Sequence, residues 1–189
     1  MPQSHRVAAA RVELTRQDAE VEQLVTGTTV DRLIGRAEPG RWSVAEHLQH
    51  LARVNGPYLR EMKSTLRESL EPDAPPLGRR RRPLFTRLMI WWMEPPPRLR
   101  LKTMKAMEPQ AEGLDLATAL RDFERGQAGF RVLLDDLGEA DLQRVIFRSP
   151  FASMVVLTLE QGIDMLLAHN RRHLWLCHET LDRVGRSAH

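Results

Sequence analysis

The segment His169-Asn170-Arg171-Arg172-His173 sets two imidazoles four residues apart. On an α-helix that spacing turns the second only about 40° from the first, so both rings can reach one metal ion. The apolar stripe Leu159, Ile163, Leu166, Asn170, Leu174, Cys177 and Leu181 contains His173 and puts His169 at its edge. Two hydrogen-bonded histidines at a packing seam would explain the same spacing. A second pair, His47 and His50, lies in another amphipathic segment. One more imidazole from that pair would complete a three-histidine set with open positions for water or substrate, the arrangement of catalytic rather than closed structural metal sites. Helical-wheel angles put His47 closer to the apolar stripe than His50, so periodicity leaves the third ligand open.

Four helices must position these residues. The first is expected from about His5 to Leu24, ended by Gly27 and Thr28-Thr29, with a short turn over Asp31–Ile34 before the breaker Glu38-Pro39-Gly40. The second opens on the capping box Ser43-Val44-Ala45-Glu46, in which serine and glutamate satisfy each other's backbone amides, and runs to about Glu71. Pro57 predicts a kink or break near Val54 to Gly56. The third spans about Leu116 to Leu137, between Asp115 as N-cap and Gly138 as stop. The fourth opens on Thr158-Leu159-Glu160-Gln161 and reaches about Val184, after a connector, Ile146–Phe151, with room for brief extended structure. Residues 72–113 hold most of the twelve prolines together with Trp91, Trp92 and several apolar residues. That composition predicts an ordered crossover with a short helix near 84–93, its tryptophans shaping a substrate pocket. The fold class expected is all-α: a four-helix bundle with a long crossover between the second and third helices, as one domain over residues 1–189.

Composition excludes several functions. The 28 basic and 25 acidic residues are interleaved, as on solvated helix faces, and leave a net charge of only +3. The one basic run, Arg79–Arg82, has few aromatic residues to accompany it (5 % of the chain), so nucleic-acid binding is not expected. The longest apolar stretch is too short for a bilayer, and residues 1–25 lack the layout of a signal peptide. A lone cysteine suits a reducing compartment. The protein is expected in the cytoplasm. Cys177 reads as a buried, inert thiol, the methionines at 89, 93, 104, 107, 154 and 165 as packing, His178 as facing solvent or a neighbour, and His5 and His189 as disordered ends.

Arg41-Trp42-Ser43-Val44-Ala45-Glu46-His47-Leu48-Gln49-His50-Leu51 resembles the second-helix motif of the DinB-like superfamily, which includes the YfiT-type bacillithiol transferases. Pro150-Phe151, the capped helix start and His169 to Leu174 resemble that family's second motif, and residues 98–109, with Lys105 and Pro109, its crossover. The likeness extends from about Asp31 to Leu181. It implies a metal near one end of the bundle, held by His50, His169 and His173, with nickel or zinc as the usual occupant. His47 then becomes a supporting or packing residue. The family often places glutamine shortly after its last histidine, where this chain has Trp175-Leu176-Cys177.

The function expected from the resemblance is that of a metal-dependent enzyme acting on a small molecule by transfer of a low-molecular-weight thiol to an electrophile. Metal-dependent hydrolysis is the alternative. A non-catalytic stress-response or binding bundle, with a structural metal or none, stands against both, because the sequence identifies no general acid or base outside the ligand set. A homodimer is compatible with such bundles.

Overall fold

The computed structural model describes residues 3–74, 84–96, 98, 103–110 and 113–187. The arginine run at 79–82 and His189 lie outside the described residues. Four long helices form the bundle: α1 (Gln3–Thr26), α3 (Val44–Ser69), α5 (Leu116–Asp136) and α6 (Leu159–Ser187). A short α2 (Val30–Ile34) follows α1, and α4 (Leu84–Met93) lies where the crossover sequence places a short helix. His5 sits exposed in the first turns of α1, not in a disordered end. Among the described residues, no helix is long and apolar enough to cross a membrane.

Each boundary has a local cause. Ser43 Oγ accepts from the Glu46 amide while the Glu46 carboxylate accepts from the Ser43 amide, closing the capping box that starts α3. Thr158 and Gln161 make the same reciprocal pair, at 3.0 and 3.2 Å, at the start of α6. Asp115 caps α5 by accepting from the Thr118 amide, and Gly138 follows its end at φ 46°, a left-handed conformation that favours glycine. The expected break at Pro57 does not occur: α3 runs through it. Pro57 removes one amide, but Tyr58, Leu59, Met62 and Leu66 beyond it are all buried, and that burial outweighs one lost hydrogen bond.

The connector pairs Ile146–Arg148 (β1) with Val156–Thr158 (β2) as a two-stranded antiparallel sheet, with Phe147 opposite Leu157. It holds Phe147 against α6, close to Gly162. α3 lies against α5 and α6, α1 against α6 and α5, and α4 against α6.

The core divides into two apolar clusters along the bundle. One gathers Leu14, Met62, Phe130, Leu157 and Leu166, the other Val21, Leu48, Leu51, Phe123 and Leu174. Between them each long helix contributes one buried amide side chain: Gln17, Asn55, Gln127 and Asn170. Asn55 donates to Asn170 at 3.0 Å, and Asn170 donates to Gln17 at 2.9 Å and to Gln127 at 3.5 Å. Met165 is in the core and Met89, Met93 and Met107 pack on it, whereas Met104 and Met154 are exposed and fill nothing.

Candidate metal centre

His50 follows the Ser43 cap by about two turns on α3, and His169 and His173 face it from α6. Their imidazoles converge: each offers one ring nitrogen, and the three atoms lie within 4.8 Å of one another. His50 Nε2 stands 3.3 Å from His169 Nε2. Two ligand nitrogens about 2.0–2.1 Å from a tetrahedral ion stand about 3.4 Å apart, so this separation suits a shared ion. His173 is buried and His169 half-buried, and their ring centroids are 4.6 Å apart.

Hydrogen bonding sets which nitrogens are free. His50 Nδ1 is 2.6 Å from the Met107 carbonyl oxygen in the single turn Lys105–Met107. A carbonyl only accepts, so the proton of neutral His50 sits on Nδ1 and Nε2 keeps its lone pair for the cluster. The crossover is pinned here a second time, because the Gln110 amide donates to Gln49 Oε1 at 2.6 Å. His47 Nδ1 lies 3.0 Å from His173 Nδ1, which leaves Nε2 of His173 for the cluster. Nδ1 of His169 is buried with no partner among the described residues.

Electrostatics keep the set neutral. Burial depresses the pKa of all four imidazoles: His47 falls to about 3, His50 lies below its usual value, and His169 and His173 lie well below theirs. For His169 and His173 the neighbouring imidazoles and Arg172 lower it further. Neutral imidazole is the form that binds a metal. The Glu46 carboxylate is not a competitor for the site. Although burial opposes its ionisation, Arg36 and the Ser43 amide hold its pKa below the usual range.

The structure brings together all three histidines named by the family motif, and it adds His47 as a partner of His173. Sequence reading missed three other contributors. Trp42 stacks at the cluster, its ring centroid 4.8 Å from that of His50 and 6.0 Å from that of His173. Its place immediately before the capping serine was a usable signal, since a large apolar residue there folds back over the first turns of a helix. The Met107 carbonyl had no signal, being a backbone atom delivered from the crossover. Arg53, one turn after His50, reads in sequence as an ordinary exposed charge, yet its Nε is buried without a partner among the described residues. The expected tryptophan wall is different: Trp91 is about half exposed beneath Arg98, and Trp92 contributes its carbonyl to Arg172.

The remaining candidates fall away from the cluster. Cys177 is fully buried, and burial pushes its thiol pKa far up, as befits an inert residue. His178 is exposed beside Glu20 at 3.2 Å. A cavity of about 510 Å³ opens between α1, α4 and α6, but none of the histidines lines it. Its charged groups already pair with one another, Arg6 with Glu160 and Asp164, and Arg171 with Glu13 and Glu94. The convergence of imidazoles, not this hollow, therefore marks the chemistry.

Comparison with known proteins places the fold and the family. No curated protein matches the chain. Among solved structures, it is similar to YfiT from Bacillus subtilis, described as a probable metal-dependent hydrolase with an unusual four-helix bundle topology. The two superpose with a TM-score of 0.62 over 98 % of this chain and 90 % of the other, at 18 % identity, which is a likeness of fold. The DinB superfamily model matches residues 13–177, a span that includes both histidine-bearing helices and the crossover, and the chain belongs to that superfamily.

Proposed function

We propose that the protein is a metal-dependent enzyme in which His50, His169 and His173 hold one divalent ion, nickel or zinc, at an open position. The observation that carries this reading is the convergence of three neutral ring nitrogens, two of them 3.3 Å apart, with a buried, unpartnered nitrogen behind one of them. Once bound, such an ion is a Lewis acid that lowers the pKa of a water or thiol in its free position. The chain's own contributions are distinct. The Met107 carbonyl fixes the tautomer of His50 and orients its ring, as partners of ligand histidines do. His47 plays the corresponding part for His173. Trp42 covers the rings and limits the access of bulk water.

Two reactions fit this centre. With water as nucleophile it is a hydrolase, the reading supported by the description of the Bacillus subtilis structure. With a low-molecular-weight thiol it is a transferase acting on a small electrophile. The neutral three-nitrogen ligand set supports that reading, because it leaves the ion its full charge to acidify a thiol. We read residues 1–189 as one domain, cytoplasmic, acting without membrane or nucleic acid, and as a candidate homodimer.

The test is metal analysis of untagged protein. About one equivalent is expected, falling at least tenfold in His50→Ala and in His173→Ala. Stoichiometry unchanged in both variants contradicts the assignment. Assays of ester cleavage and of thiol consumption by an electrophile then separate the two reactions. Absence of both activities, together with a sharp loss of melting temperature in EDTA, would support a structural metal instead.

A further inference from the structure

Imidazole binds a metal as a neutral ligand, so an ion held by the three converging histidines keeps its whole positive charge. Two more cations flank the same cluster. Arg53 sits at i+3 from His50, which on a helix places the two side chains as neighbours on one face. Its Nε is buried without an acceptor, and no ion pair joins Arg53 to a carboxylate among the described residues. A buried guanidinium nitrogen left without an acceptor is costly, so such a group points to a missing partner. Arg172 stands between His169 and His173 on α6, anchored to the Trp92 carbonyl at 3.2 Å, and its charge is felt by both histidines. Of the carboxylates nearby, Glu46 is committed to Arg36 and Glu94 to Arg171.

We infer that the substrate of this centre is a small molecule bearing an anionic group, a carboxylate or a phosphate ester, which Arg53 takes by its guanidinium fork beside the three histidines while Arg172 adds a second positive charge. The planar fork of arginine matches two oxygens of either group. The inference deepens the metal reading and rests on it, yet its charge argument can be tested separately.

The experiment is calorimetric titration of metal-loaded, untagged protein with succinate, with inorganic phosphate and with neutral succinamide. At least one anion is expected to bind and succinamide not to, and the tighter anion assigns the group as carboxylate or phosphate. Arg53→Gln is expected to weaken that anion about tenfold or more, and Arg53→Lys by less, with metal content unchanged in both. Arg172→Gln provides the same readout should Arg53→Gln fail to fold by circular dichroism. Equal anion affinity in wild type and Arg53→Gln, or no binding of either anion, overturns the inference. Repeating the titration on metal-stripped protein separates it from the metal reading. Arg53-dependent binding that persists there upholds the anion site even where metal analysis has failed.

Discussion

His47 and His50 are three residues apart on the same buried face, and the structure gives them different work. His50 reaches the cluster with one nitrogen because the Met107 carbonyl holds the other. His47 is spent on His173. Helical angles could not separate the two, since both are buried, and only the family motif named His50. The HxxxH pair, by contrast, was legible from spacing alone, because geometry within one helix is local. This division predicts the behaviour of His47 variants. Asparagine can place an amide group near the site of Nδ1, so His47→Asn should retain most of the metal affinity, whereas His47→Leu should lose about tenfold or more. Competition with a chromophoric chelator measures both, and equal affinities for the two variants would remove the positioning role.

At the scale of elements, the two capping boxes were readable in the sequence and both form, which fixes where α3 and α6 begin and so the phase of their histidines. Pro57 misled, because a local rule met a helix whose far half is deeply buried. The small sheet was beyond sequence reading, as two three-residue strands have too few alternations to register. The buried amide layer was also out of reach, since it depends on four helices meeting at one level. Asn170 bonds three of its members, so Asn170→Ala should leave Asn55, Gln17 and Gln127 short of partners and cost about 2–4 kcal/mol. Chemical denaturation measures this, and a loss below about 0.5 kcal/mol would show that the layer does not specify the packing. A further check concerns β1. A methyl group at Gly162 would come within 2.7 Å of the Phe147 ring, which is 2 % exposed and has little room to retreat. Gly162→Ala should therefore cost about 1–3 kcal/mol in the same measurement.

Ion pairs link the helices around the bundle's apolar core, and one of these sets a pH dependence. Burial opposes ionisation of Glu13, but hydrogen bonds from Arg16, Gln17 and Arg171 prevail and bring its pKa down to about 2. A carboxylate whose pKa is lower in the fold than the ordinary 4.5 stabilises the fold above pH 4.5, and that stability is lost as pH falls toward 2. Glu46, held low by Arg36 and the α3 cap, acts in the same direction. The melting temperature should fall steadily below about pH 4.5 and do so less steeply in Glu13→Gln, whose stability near neutral pH is lower by about 1–2 kcal/mol. Parallel acid profiles for the two proteins would refute this assignment.

The same bundle brings the histidines of α3 and α6 to one point, and everything proposed about function depends on what occupies that point. Anomalous scattering from crystals of untagged protein, recorded at the nickel and zinc edges, addresses it directly. A single anomalous peak is expected between His50 Nε2 and the facing nitrogens of His169 and His173, about 2.0–2.1 Å from each. A peak elsewhere, or a metal-replete crystal with none at the three histidines, would contradict the account.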